Sequence, residues 1–431
     1  MKRWIQCTAV LAGAVAIAGW TAAPAAGAGF GIFEQGSKAM GMAGAFTAQA
    51  DDPSALFHNA GGLAFVTEQG FSVGFTAITF AKADFQGGEP FPGSDYSAKQ
   101  KTLFQTPPHV YWVRSLNERW KFGLGFNTPY GLETNWKNPE TFEGRYLSTK
   151  AALRTFDFNP SLGWQVSDRF GIGFGAIVRF SDIELNRFVP QVDPFTFRVV
   201  DVAKVKLDSG FERGYGWNLG ILHRYNESFS WGFSYRSRIK VDYDGKAHFT
   251  QIPTGNPVLD AVIASRLPFT SAAPVATSIE FPDMASLGVA IALGPTMVLE
   301  ADANWTGWSS FDKVAIAIEN RPDLSSTLDE NWDNAYNYRL GLRWNSSAGS
   351  QWRFGLVLDQ TPQPDEHVSP LLPDSDRLGY TVGFGHALGG NQIDLALMYL
   401  PFDDRTTTTN SDNFNGTYKT QAWLFGATYS F

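Results

Sequence analysis

From Gly70 onward the chain is written in runs in which every second residue is apolar. Phe71, Val73, Phe75, Ala77 and Thr79 form the first. Phe170, Ile172, Phe174, Ala176, Val178 and Phe180 share one parity, and Gly171, Gly173, Gly175, Arg179 and Ser181 the other. Trp231, Phe233, Tyr235, Ile239, Val241 and Tyr243 alternate with Ser234, Arg236, Arg238, Lys240 and Asp242. Tyr336, Tyr338, Leu340, Leu342 and Trp344 alternate with Asn337, Arg339, Gly341 and Arg343. Period two predicts strands whose two faces meet different surroundings. The final stretch, Tyr418 to Phe431, does the same, with Trp423, Phe425, Ala427, Tyr429 and Phe431 opposing Leu424, Gly426, Thr428 and Ser430.

A soluble sandwich would bury such apolar faces between two large sheets, yet a bare apolar edge strand invites aggregation. A closed barrel in lipid has no edge: its apolar face meets the membrane and its polar face lines the lumen. About fourteen runs are present, an even number as bacterial single-chain barrels require. Tight turns at Asn117-Glu118, Ser167-Asp168, Asn226-Glu227, Gly294-Pro295, Ser346–Gly349 and Gly389-Gly390 alternate with the longer segments 86–106, 137–150, 190–210, 251–276 and 403–417. Short turns at one rim and long loops at the other fit periplasmic and extracellular ends. Within 251–276, Val258, Leu259, Val262, Ile263 and Leu267 recur at helical spacing. Such a helix either packs on a neighbouring loop or walls an apolar groove opposite Phe195, Phe197 and Val199 of 190–210.

The first 69 residues break this pattern. Lys2 and Arg3, the apolar stretch Ala9–Ala18 and the small residues Ala22–Ala28 read as a secretory signal peptide over 1–27, cleaved after Gly27 or Ala28. Residues 28–68 are rich in Ala, Gly and Met, with helical patches around Ser37–Thr47 and Pro53–Phe57, and read as a compact plug ahead of the barrel at 69–431. Composition agrees: aromatic residues are 15% and there are 43 Gly, while a mean hydropathy of −0.17 suits a barrel whose alternate residues face inward. The formal charge is −8, and losing Lys2 and Arg3 leaves −10, with no basic cluster to hold nucleic acid. Cys7 lies in the leader, so no disulfide or thiol nucleophile is expected after cleavage. His58, His109, His223, His248, His367 and His386 show no metal-type spacing, and neither a phosphate loop nor a Gly-x-Ser-x-Gly elbow occurs. No cofactor, metal or catalytic residue is expected. A barrel hydrolase would need a Ser–His pair at the rim, which the sequence does not place, and a water-filled porin needs neither an apolar plug nor greasy loops. An adhesin or receptor role for the long loops stands beside transport.

Several stretches together resemble the outer-membrane long-chain fatty acid transporters and the related aromatic-hydrocarbon channels. They are GFGIFEQGSKAMGMAGAFTAQADDPSALFHNAGGL, FGLGFNTPYGLETNW, FEGRYLSTKAALRTFDFNPSLGWQVSDRFGIGFG, LEADANWTGWSSFDKV and YRLGLRWNSSAGSQWRFGLVLDQTPQP. The Asn-Pro-Ala common before the hatch's Gly-Leu is here Asn59-Ala60-Gly61. The resemblance implies an all-β, transmembrane, antiparallel barrel of about 14 strands, plugged by a mostly helical N-terminal hatch. It implies capture between extracellular loops, a pocket bounded by hatch residues (Gly29, Phe30, Ile32, Phe33, Glu34, Asn59), and release sideways at a kinked strand, mapped to Thr128-Pro129-Tyr130-Gly131. Pro lacks the ladder donor and Gly suits a bulge, so the residues themselves agree with a break in the wall. A fatty acid carboxylate would want a cation; Arg179, Arg187 and Arg343 are candidates, each equally explained as a lumenal charge paired with Asp182, Glu184, Glu300 or Asp302. A hydrocarbon would need none. Phe431 at the end of an aromatic strand resembles the signal read by the barrel-assembly machinery. The expected partners are thus the outer-membrane bilayer, that machinery and a hydrophobic ligand, fatty acid or hydrocarbon.

Overall fold

The structure, a computed structural model, describes residues 29–67, 70–346 and 349–431. The expected signal peptide at 1–27 with both cleavage points, residues 28 and 68 of the expected plug, and the centre of the Ser346–Gly349 turn lie outside them.

Fourteen antiparallel strands close into a barrel. They are β1 (Gly70–Gly87), β2 (Pro108–Ser115), β3 (Trp120–Asn127 and Gly131–Asn135), β4 (Lys150–Ser167), β5 (Phe170–Val192), β6 (Val199–Ser209 and Glu212–Asn226) and β7 (Phe229–Arg236 and Ile239–Gln251). The remainder are β8 (Ala273–Phe281 and Met284–Ala292), β9 (Met297–Thr306), β10 (Ala335–Asn345), β11 (Ser350–Asp359), β12 (Arg377–Leu388), β13 (Asn391–Pro401) and β14 (Gly416–Ser430). Closure joins β1 to β14, with Ser72 opposite Ser430 and Gln86 opposite Thr417. On β14, Trp423, Phe425 and Tyr429 are exposed outward while Ala422, Leu424, Thr428 and Ser430 are buried, as alternation demands. Among the described residues no helix is long and apolar enough to cross a membrane.

Two readings of the sequence are corrected. Residues 190–210 are not a loop: β5 and β6 run as a ladder from Leu185↔Leu207 to Val192↔Val199, leaving only a turn between. Second, the faces of β7 exchange roles. Below Ser237, Arg236 is buried; above it Ile239, Val241 and Tyr243 are buried and Arg238, Lys240 and Asp242 are exposed. The charged residues read as lumenal therefore face outward. Interruptions in β7 and β8 fall side by side, since Arg236 pairs with Met284 and Ile239 with Phe281. The physical reason is length. A strand needs about 9–11 residues to span a bilayer, and β5 alone has 23. The excess stands in water, where the rule reverts to apolar inside and polar outside.

The N-terminal segment lies inside the barrel. It carries two short helices, α1 (Ser37–Met40) and α2 (Ala55–His58), and a 3₁₀ turn at Ala60–Phe65. Wall glycines let its backbone approach closely. A Cβ on Gly173 would sit 2.0 Å from the Ala60 carbonyl oxygen, and one on Gly232 would sit 2.1 Å from that of Thr47.

Candidate functional site

The wall breaks in β3. Asn127 pairs with Asp157 and Gly131 with Arg154, so β3 spends one residue more than β4 across the gap, a bulge. Thr128, Pro129 and Tyr130 fill it. On its other side β2 pairs with β3 only up to Val110↔Phe126, and Gly131–Asn135 has no continuous ladder towards β2. The N-terminal segment takes up the stranded backbone groups instead. Ile32 N–H donates to the Pro129 carbonyl at 2.7 Å and Gly131 N–H to that of Phe30 at 3.0 Å. The Gln35 side chain donates to the Thr128 carbonyl (2.8 Å) and accepts from its N–H (3.2 Å). Thr155 Oγ1 does the same for Tyr130, at 2.6 and 3.0 Å. All backbone groups at the break are thus satisfied by residues far away in sequence, which is why the break was legible but its filling was not.

A cavity of about 480 Å³ opens at this break, lined by Thr128, Tyr130, Gly131 and Glu133 of β3, by Gln105–Pro108, and by Gly29, Phe30, Ile32 and Glu34. The Gln105 and Glu133 side chains are hydrogen-bonded across it. A second cavity, about 110 Å³, lies in the collar where the extended strands turn their apolar residues inward. Leu153, Ile183, Leu185, Leu207, Ile279 and Phe311 are among its walls. The two adjoin: Phe30, Leu132, Ala152, Leu153, Glu184 and Leu372 line both. Phe30 is buried in an aromatic cage, with ring centroids 4.7 Å from Trp308, 5.3 Å from Phe311, 5.7 Å from Trp332 and 5.9 Å from Tyr130. Gly29 permits this seat. It sits in the left-handed region (φ 51°), and a Cβ there would meet Trp332 at 2.6 Å and Trp308 at 2.7 Å.

Of the expected pocket residues, Gly29, Phe30, Ile32 and Glu34 therefore gather at the cavities. Phe33 lies under the Arg339 guanidinium, 4.5 Å from its ring centroid. Asn59 is elsewhere: its side chain donates to the carbonyls of Thr47 (2.7 Å) and Ile221 (2.9 Å) and accepts from Gly61 N–H, bracing the turn that replaces Asn-Pro-Ala. The cage residues Trp308, Phe311 and Trp332 were missed because none of them lies in a strand: Trp308 and Phe311 sit on a 3₁₀ turn and Trp332 in the irregular stretch before β10.

The arginines do not pair as the sequence suggested. Arg179 donates to both oxygens of Asp157 at 2.8 Å and stacks 4.6 Å from the Tyr130 ring. Arg343 reaches Asp51 of the N-terminal segment at 2.6 Å. Asp182 and Glu184 are taken by Arg154 and Lys150 of β4. Asp302 accepts the Phe46 and Thr47 N–H groups (3.0 Å each) and Glu300 that of Ala48 (2.5 Å). Arg187 has no carboxylate partner among the described residues, and lines neither cavity. Asp51 also holds Lys38 at 2.8 Å. Burial alone would raise the Asp51 carboxyl, but Lys38 and Arg343 hold it well below the usual carboxylate range. Burial, with the Arg339 and Arg236 charges, lowers His58 to about 3, so it is neutral.

The loop helix forms as the spacing predicts, α3 (Pro257–Arg266), started by Asn256 accepting from Val258 and Leu259 N–H. Its residues divide, however. Leu259 and Ile263 are buried against Val202 with Leu267 packed alongside, whereas Val258 (63% exposed), Val262 (39%), Phe195 (64%), Phe197 (83%) and Val199 (58%) face water. One closed groove from all eight is not formed. No group of three or more His, Cys, Asp or Glu that could hold a metal occurs among the described residues.

Residues 16–431 match the family described as outer membrane protein transport protein (OMPP1/FadL/TodX). A long-chain fatty acid transport protein of Escherichia coli O6:H1 is 24% identical, with 94% of each chain covered. Outer membrane protein P1 of Haemophilus influenzae is 23% identical over 78% of each. Among solved structures, a Pseudomonas aeruginosa FadL homologue superposes with a TM-score of 0.82 at 19% identity, covering 94% of this chain and 99% of that one. The Pseudomonas putida toluene transporter TodX gives 0.67 at 16%, covering 93% and 98%; at these identities the structures speak for the fold.

Proposed function

The chain belongs to the outer membrane protein transport family (OMPP1/FadL/TodX), and from that premise we propose how it carries its cargo. The barrel resides in the outer membrane of a Gram-negative cell. We infer passive uptake of hydrophobic compounds, with long-chain fatty acids as the first ligand class and aromatic or alkane hydrocarbons as the second. Relatives named for each exist. The observation that carries the reading is the pair of adjoining cavities. An apolar chamber inside the collar adjoins a larger space at the interrupted β3, and Phe30 is among the residues lining both.

The steps follow from physical chemistry. Exposed apolar side chains at the outer rim, Phe195, Phe197, Val199, Val258 and Val262, meet a dilute ligand first. Transfer into the chamber gains about 0.8 kcal/mol per buried methylene. Displacement of Phe30 joins the chamber to the space at β3. From there the ligand leaves sideways between β2 and β3 into the bilayer and never returns to water. No bond is made or broken, so the reading is not enzymatic. Recognition of the strand ending in Phe431 by the barrel-assembly machinery belongs to the same proposal.

The test is uptake of a labelled long-chain fatty acid, and separately of toluene, by cells with and without this chain. Saturable uptake of either that depends on the chain supports the reading. Equal uptake by both cell types overturns it.

A further inference from the structure

The ionisable side chains lining the apolar chamber are Glu184, Asp208, Glu330 and the phenol of Tyr243; no Lys or Arg is among them. Two of the acids are answered from outside the chamber. Glu184 is paired with Lys150 at 2.9 Å, and Asp208 with Lys206 and His248 at 3.6 Å each. Glu330 differs. It lies in the extracellular connection before β10, is 5% exposed, and has no basic side chain at ion-pair distance among the described residues. One of its oxygens accepts from Trp332 Nε1–H at 3.1 Å, and Trp332 is itself part of the Phe30 cage.

Other ionisable groups at this end of the lumen do not relieve it. Arg377 is held by Asp374 at 2.8 Å; His367 is bonded to Asn331 at 2.9 Å; Asp412 is a like charge. Burial pushes the Glu330 carboxyl up to about 8, with the Trp332 bond opposing and Asp412 adding to the rise. At neutral pH it is therefore mostly a neutral acid on the wall of an apolar space.

We propose that Glu330 is a specificity-determining residue that makes the chamber accept only uncharged ligands, such as hydrocarbons, long-chain alcohols and fatty acids in their protonated form. This rests on the reading of the chamber as the ligand site. A carboxylate entering there would lose its hydration and find no cation, and once Glu330 is ionised it would also face a like charge. A neutral hydroxyl or protonated carboxyl instead exchanges a hydrogen bond with it.

The experiment compares equilibrium binding of labelled 1-dodecanol and dodecanoate to the purified barrel between pH 6 and 9, for the natural chain and for Glu330→Gln. The natural chain should bind dodecanol at least tenfold more tightly than dodecanoate at pH 9. Dodecanoate affinity should fall about tenfold per pH unit above its own pKa. Dodecanol affinity should hold up to pH 7 and weaken above 8; in Glu330→Gln it should not change with pH. The profile of the natural chain tests the idea even if the variant folds poorly. Dodecanoate bound at pH 9 as tightly as dodecanol would overturn the proposal while leaving the transport reading intact. If neither ligand binds at any pH, the chamber is not the ligand site, and both fall together.

Discussion

Asp51 illustrates how single residues hold the N-terminal segment in place. It takes Lys38 from its own segment and Arg343 from the wall. Asp51→Asn should leave two partly buried cations short of a partner and cost on the order of 2 kcal/mol, read as a lower heat-unfolding midpoint on gels. Because the folded carboxyl sits below its usual value, the contribution is complete above the unfolded pKa of about 4 and is lost only as pH falls through the depressed value. The deficit of the variant should therefore be constant between pH 5 and 7. Phe30 acts at the same scale but on the ligand. Phe30→Ala removes the partition between the cavities and the aromatic surface that closes the chamber. Ligand affinity should fall roughly tenfold, while uptake at saturating ligand persists. Tighter binding would contradict the partition role. The arginines teach the opposite lesson about sequence. Their residue type suggested headgroup sites, but pairing depends on which strands lie adjacent, and Asp157 and Asp51 are 22 and 292 positions from the cations they hold.

At the scale of elements, the break in β3 and helix α3 are the parts most open to test. Pro129 and Gly131 interrupt the ladder, and a Cβ on Gly131 would press on Ile32 Cδ1 at 2.9 Å. Pro129→Val with Gly131→Val should restore a donor to the strand and push the N-terminal segment off it. Uptake should drop several-fold with the barrel still folded, as judged by heat-modifiability, and unchanged uptake would count against side exit. In α3 two adjacent apolar positions differ as probes. Ile263 is buried and Val262 is exposed, so Ile263→Asp should unfold the loop. Val262→Asp should slow uptake only at low ligand concentration. The sequence made both elements legible, because a Pro–Gly pair in a strand and a helical apolar spacing are local signals. It did not show that Leu259 and Ile263 turn inward to Val202 while Val258 and Val262 stay out. Periodicity gives a helix an apolar stripe without saying which neighbour covers it.

The whole molecule is two barrels in one wall. In the membrane its apolar residues face out; in the collar above, at Ile239, Val241 and Tyr243, they face in. The alternation that made the barrel readable runs through both halves, so the reversal at Ser237–Arg238 and the chamber it creates were hidden. The transport account depends on the gap between β2 and β3, where Gln105 and Glu133 meet. With Cys7 replaced, Gln105→Cys and Glu133→Cys would give the only two thiols in the chain. The decisive measurement is uptake of labelled fatty acid before and after bridging these thiols with a short cross-linker cleavable by reductant. The account predicts that bridging stops uptake, leaves ligand binding within twofold, and is reversed by reductant. Uptake that continues unchanged through the bridged barrel would contradict it.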